Sequence, residues 1–380
     1  MDASRGGAHV DAENIVINDL EQIQNKDFAN NNVSGITQVH FLHHLLRSIP
    51  VNKVVEEIRL IGKAACPVAT TTFLMFSKSI ISMLFLSHMG KIELAGGVKG
   101  VAMASTCFTY NMNIGLLIYL FFSKVAIKPW AARNRATLTS IIHGWGPLLS
   151  MAIPSLFSVC LEWWWYEIIL FLSGLLENPQ SCVAATGIIM QTTGVIYVIP
   201  FSLSLSISQR VGNELGAGQP SSARWAAIIG ISIAFIYGLI VFGLSVTLRN
   251  TLGKLYTNEV QIIGLLSSAL PITGLAELGN APQTAACGAL TGSARPKVGV
   301  RINIAAFYLI GLPMSIVLAF VFKIGYRGLW LGLVASQAAC VSLMVYTLVK
   351  TDWRDQAKRA EEMTLAMDKD DETELNELVP

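Results

Sequence analysis

Charge is scarce in this 380-residue sequence. Asp, Glu, Lys and Arg make up only 14% of it, against ~25% in an ordinary soluble domain. With hydrophobic residues at 53% and a mean hydropathy of +0.53, there is too little polar surface to cover a water-soluble globule. The net charge of +2 and the scatter of basic residues between apolar runs exclude a nucleic-acid surface. Cysteine pairing signals are also missing. None of the six cysteines (Cys66, Cys107, Cys160, Cys182, Cys287, Cys340) forms a CxxC pair. That disfavours a disulfide framework and a zinc site, leaving packed thiols. The glycine-rich Gly212–Gly218 stretch, GNELGAG, lacks the GK[ST] ending of a phosphate loop and reads as a tight turn. No cofactor and no metal ion are expected.

Long apolar runs are what the sequence does have. A bilayer-spanning helix needs about 20 apolar residues. Eight candidates occur, at roughly 64–88, 101–123, 146–173, 182–208, 224–248, 261–289, 299–322 and 328–349. The expected fold class is all-α, a polytopic membrane helix bundle in contact with the lipid bilayer. Proline stands inside several runs, at Pro67, Pro154, Pro200, Pro271, Pro282 and Pro313, which neighbouring helices tolerate in membranes. Before the first run, about 55 polar residues hold no apolar core of a signal peptide, so the first span is expected to start insertion. Val39–Val55 suits an amphipathic surface helix, and its His40, His43 and His44 have no carboxylate or cysteine beside them to complete a metal site.

Orientation follows from Lys and Arg. The linkers after the second, fourth and sixth runs carry Lys124, Lys128, Arg133 and Arg135, then Arg210 and Arg224, then Arg295, Lys297 and Arg301. The last run is followed by Lys350, Arg354, Lys358 and Arg359. The alternate linkers are poorer, so the richer side is expected to be cytoplasmic, with both termini. The sequon Asn32-Val33-Ser34 then stays unmodified. The acidic C-terminal stretch is expected to be a solvated tail.

Ionisable residues inside spans each cost ~2.5–3.5 kcal/mol to insert, so they mark function by default. Glu162 lies mid-span in CLEWWWYE, Glu277 mid-span in GLAELGNAPQ, and Lys78 in MFSKSIIS. Glu167 follows Glu162 by five residues, ~140° around a helix, and so occupies another face. Structural pairing or snorkelling is one reading, above all for Lys78. The other is proton or cation handling, because a carboxylate in a low-dielectric cavity can exchange a proton near neutral pH. Two glutamates on different helices facing one cavity would suit a proton-coupled exporter.

Polar neighbours support a cavity. They include Tyr110, Asn111 and Asn113 in FTYNMN, Gln191 to Thr193, and Asn280, Gln283 and Thr284 after Glu277. Pro271, Gly274, Gly279 and Pro282 around Glu277 suggest a kinked or broken helix, a common transporter device. Trp163-Trp164-Trp165 could offer an aromatic face to an organic cation or pack in lipid, since consecutive residues point in different directions.

These residues resemble a known family. QRVGNELGAGQPSSAR, CLEWWWYE and ALPITGLAELGNAPQTAACGALTGSARPKVG closely resemble the second half of plant multidrug and toxin extrusion (MATE, detoxification) transporters. SKSIISMLFLSHMGKIELAGG, with Lys78, resembles the first helix of one plant subgroup. The resemblance covers 58–97 and 98–362. The family has about twelve helices in two six-helix lobes, in keeping with repeat-built transporters. Here the first-lobe CGQAxGA motif is absent. After Gly97 the chain passes to VKGVAM, which resembles the start of the family's sixth helix. Helices two to five are therefore inferred to be missing, and loss of four spans preserves the downstream orientation.

The resulting expectation is a cytoplasmic tail at 1–57, a two-helix first-lobe remnant at 58–123 and a cytoplasmic linker at 124–145. A six-helix second lobe follows at 146–350, with a cytoplasmic tail at 351–380. The resemblance implies a secondary transporter, not an enzyme, in the plasma membrane or an endomembrane such as vacuole, Golgi or endosome. It would exchange protons for small organic solutes or xenobiotics, some of them cationic. Glu162 and Glu277 would couple protons to substrate. Lys78, Tyr110, Asn111, Glu167, Gln191, Asn280 and Gln283 are candidates for the cavity lining. A non-transporting truncated form that associates with other membrane proteins is the alternative. A membrane-embedded enzyme is weaker, since His88 and His143 at span ends have no partner constellation.

Overall fold

The computed structural model describes residues 51–89, 106–107, 110–119, 121–122 and 145–363. Contacts divide the chain into Met1–Glu56, of which only 51–56 are described, and Glu57–Pro380, to which the following account applies. The described residues contain helices and turns and no strand. In order they form α1 (Val51–Met89), α2 (Trp145–Ser173), α3 (Pro179–Gly216), α4 (Pro220–Thr247), a short α5 (Leu252–Tyr256), α6 (Val260–Gly292), α7 (Pro296–Val321) and α8 (Tyr326–Val349). Residues 110–119 are helical and fall within the expected second span. Residues 1–50, the Gly97–Val98 junction and the linker at 124–144 lie outside the described residues, along with the surface-helix histidines and the Asn32 sequon.

Among the described residues six helices are long and apolar enough to cross a membrane: α2, α3, α4, α6, α7 and α8. They coincide with the last six expected spans, and α1 covers the first. Among the described residues this is an all-α membrane bundle of six span-length helices, preceded by α1 and the helical segment at 110–119.

Two segments that read as irregular are ordered. GNELGAG is not a loop, because α3 runs on to Gly216 and the turn is only Ala217–Gln219. Gln219 N donates to Glu214 O at 2.8 Å and Gly218 N to Leu215 O at 3.0 Å, with Gly218 at φ 68°. This double bond pattern satisfies the last carbonyls of α3 and needs a left-handed residue, which glycine adopts without strain. Pro220 then opens α4, where a missing N–H costs nothing. TGSARP repeats the device at the end of α6. Arg295 N donates to Leu290 O at 2.8 Å, and Pro296 opens α7.

The expected solvated tail also starts as structure, since residues 353–363 are helical. Asp352 Oδ1 accepts from Arg354 N and Asp355 N at its start, and Trp353 and Ala357, four apart, are buried.

Packing centres on α6, which contacts α3, α4 and α8. Nearly every residue from Ala276 to Leu290 is buried, so α6 is enclosed on all faces. Its small residues follow from that enclosure. A Cβ on Gly279 would lie 3.0 Å from the Gln337 backbone, and one on Gly288 would collide with the backbone of Ser204. From the other side, a Cβ on Gly238 of α4 would lie 2.8 Å from Glu277 O. Helices in lipid associate through such close approach, because lipid offers no hydrophobic drive between them.

Of the kink or break expected near Glu277, the break does not occur. α6 is one unbroken helix through Pro271 and Pro282, since enclosure on every side holds it straight enough to continue. The irregular helix is α7, where π-helical turns at Ile304–Gly311 and Val317–Val321 flank Pro313.

Candidate functional site: two buried carboxylates in the helix bundle

Glu277 and Asn280 stand three residues apart on α6 and so share a face. Asn280 Nδ2 donates to Glu277 Oε2 at 3.0 Å, and Gln337 Nε2 of α8 donates to Asn280 Oδ1 at 3.3 Å. Glu277 is 4% exposed and Asn280 1%. The amide of Asn280 thus uses both ends, relaying the α8 contact to the carboxylate. At the far end of this chain the buried Gln337 Oε1 has no hydrogen-bond partner.

Glu162 reaches the same interior from α2. It is 5% exposed and shares a cavity of about 10 Å³ with Trp163, Tyr166, Thr193, Tyr197 and Asn280. Glu277 lines a neighbouring cavity of about 10 Å³ with Thr192, Thr193, Ser245 and Thr273. Thr193 belongs to both walls, and Asn280 touches one carboxylate while facing the cavity of the other. The buried Tyr166 hydroxyl, on the first cavity's wall, has no hydrogen-bond partner. Two bonds fix α2 beside this interior: Asn303 Nδ2 of α7 donates to Ser158 O at 2.9 Å, and Tyr308 Oη to Leu161 O at 2.9 Å.

The tryptophan run divides as helix geometry requires. Trp163 lines the Glu162 cavity. Trp164 is exposed, and Trp165 is fully buried with its ring centroid 6.3 Å from that of Phe307.

Other candidates lie apart. Gln283 is buried and lines a third cavity, with Glu162 and Thr284. Gln191 is half-buried and lines none of these three cavities. Glu167 is exposed, consistent with its ~140° offset from Glu162. Tyr110 and Asn111 are exposed on the 110–119 segment and are not brought to the carboxylates. Lys78 lies in α1, with its side chain outside the described residues.

One cluster was not anticipated. Arg210 of α3 donates from Nε and Nη2 to the Glu57 carboxylate of α1 at 3.1 and 2.8 Å, and its Nη1 pairs with Glu214 at 2.5 Å. Two carboxylates are thereby clamped on one planar guanidinium. The Arg210–Glu214 spacing of four was legible in RVGNEL; the third member, from α1, was not. At the same end of the bundle Arg295 Nη2 donates to Thr351 Oγ1 at 2.9 Å. Burial, then the nearby Arg359, push the Arg295 pKa below its usual value.

The fold and buried groups define a polytopic helical membrane protein with a polar interior. Comparison with known proteins narrows this. Residues 154–317 match the MatE family model. The chain is 52% identical over 291 residues to Protein DETOXIFICATION 53 of Arabidopsis thaliana, covering 76% of this chain and 59% of that protein. The structure of the eukaryotic MATE transporter AtDTX14 superposes with a TM-score of 0.61 at 33% identity, covering 68% of this chain and 57% of that one. A MOP superfamily transporter from Pyrococcus furiosus shares the fold, with a TM-score of 0.57 at 16% identity. Residues 154–317 thus carry the MatE family match, and the chain is similar to plant detoxification proteins over about three quarters of its length. It spans between half and three fifths of the length of the first curated relatives it matches.

Proposed function

We propose that this protein is a proton-coupled exporter of small organic solutes, with Glu162 and Glu277 as the coupling carboxylates. The observation that carries this is the convergence of two buried glutamates, from α2 and α6, on one polar interior through Asn280 and Thr193. Carboxylates there are too expensive to keep as ornament. A proton on either removes its charge and changes what the cavity can hold. Trp163 and the two tyrosines beside Glu162 would offer π faces to an organic cation once the cavity of about 10 Å³ widens to admit it. Proton and solute then compete for the same carboxylates, which makes exchange of proton for solute the natural cycle. On the proposed topology the Arg210 and Arg295 end is cytoplasmic, with residues 58–123 as a first-lobe remnant and 146–350 as the second lobe. The site of action would be the plasma membrane or an endomembrane.

The test is export of fluorescent organic cations from vesicles under an imposed pH gradient. Export should need the gradient and should be lost in Glu277→Gln and in Glu162→Gln with insertion intact. Normal export by both variants would remove these glutamates from the mechanism.

The partial span of the relatives favours a second reading, a non-transporting form that binds other membrane proteins. Under that reading the chain alone shows no gradient-driven export, yet it changes export by a full-length relative expressed with it.

A further inference from the structure

Below Glu162 lies a cavity of about 130 Å³, far larger than the two small ones beside the carboxylates. Hydroxyls dominate its polar lining: Ser155 and Ser158 of α2, Ser204 and Ser208 of α3, Thr284 and Thr291 of α6. Its lining on α3 runs from Tyr197 to Ser208, eleven residues and ~16 Å of helix rise. On each of the three helices the lining leads from the Glu162 level toward the end that carries Arg210, Arg295 and Lys297. Burial falls along the same course. Glu162 and Thr284 are buried, whereas Ser155, Ser208 and Thr291 are half-buried.

We infer that this cavity is a water-filled path that connects Glu162 with the solution at the Arg210–Arg295 end of the bundle. The volume exceeds what one water needs several times over, and water enters a cavity when two to four polar partners are within reach. Val159, Phe201 and Leu205 add apolar patches to the wall; Ser155, Thr284 and Thr291 donate to carbonyls of their own helices and so offer water their acceptor lone pairs. Such a chain of water and hydroxyls lets a proton reach Glu162 without passage of the organic solute. Its volume is below the ~300 Å³ lower limit of sites for drug-sized ligands, so it admits water and small reagents but not a drug-sized solute. The inference rests on the coupling role of Glu162, but its geometry can be tested without transport.

Cys287 provides the reporter. It lines the cavity, with its Sγ 3.3 Å from Ser158 Oγ. The probe is 2-(trimethylammonium)ethyl methanethiosulfonate, which does not cross membranes. The Cys287 thiolate attacks its sulfenyl sulfur, a mixed disulfide forms, and methanesulfinate leaves. Labelling is read for each cysteine by peptide mass spectrometry, in vesicles of both orientations. Cys182, buried near the opposite end of α3, is the internal control.

Cys287 should react faster than Cys182, and only from the side that labels an Ala217→Cys variant. Ser155→Phe should slow it about tenfold by displacing the water, while Ser155→Ala leaves the rate unchanged. If Ser155→Phe fails to insert, Leu205→Trp fills the same space from α3 and must produce the same slowing. Labelling from the other side, no excess over Cys182, or indifference to the filling variants would each overturn the path. Glu162→Gln should leave Cys287 labelling intact. Loss of export in that variant with labelling unchanged supports both readings, whereas normal export with labelling unchanged removes the coupling role and keeps the path.

Discussion

Asn280 Nδ2 lies 3.0 Å from Glu277 Oε2 while its Oδ1 accepts from Gln337, so one amide ties the carboxylate of α6 to α8. Its replacement should affect more than α6. Asn280→Leu should leave Glu277 and Gln337 without this partner at a cost of about 1–3 kcal/mol. The expected outcome is a lower melting temperature in detergent and a shifted pH profile of any gradient-driven export. Asn280→Asp should not restore the wild-type profile, because a carboxylate cannot donate to Glu277 while ionised. A profile unchanged in both variants would make Asn280 a packing residue only.

The Arg210 clamp predicts an asymmetry between charge and shape. Arg210→Gln removes the cation and leaves Glu57 and Glu214 facing each other, which should destabilise by about 1.5–3 kcal/mol, the range for hydrogen bonds to charged groups. Arg210→Lys keeps the charge but loses the planar fork, and it should recover less than half of that. Thermal unfolding in detergent measures both. Adding Glu57→Gln to Arg210→Gln should cost little more, since the two residues share one interaction.

Gly238 should tolerate no side chain. Its Cβ would meet the Glu277 carbonyl at 2.8 Å, so Gly238→Ala must push α4 away from α6. Overpacking of this kind costs about 1–3 kcal/mol. Reduced yield of folded protein is expected, and Gly243→Ala, which has open space around its Cβ, serves as the neutral control in the same helix.

The topology is checked at the α3–α4 turn. Ala217→Cys should label with an impermeant maleimide only from the cytoplasmic side, from the Lys and Arg bias. External labelling would reverse the proposed orientation and, with it, the direction of transport.

Much of this protein was determined by its sequence alone. Apolar run length places the last six of the eight expected spans, because the bilayer sets a minimum length and forbids unpaired backbone. The turns were local too: Gly218 and Pro220 end and start helices through their own backbone constraints. Glu162 and Glu277 stood out because charge inside an apolar run is costly wherever the run packs. What sequence could not decide is which groups meet. Glu277 and Asn280 are neighbours on one helix, but the Gln337 contact spans 57 residues and the Glu57–Arg210 pair spans 153. Composition also misled where context prevailed. Prolines around Glu277 suggested a kinked or broken helix, of which packing on every face excludes the break, and residues 353–363 after the last span form a helix with Trp353 buried. Local chemistry sets the elements, and only the tertiary structure decides which buried polar groups become partners, because partnership depends on distances that the order of residues does not encode.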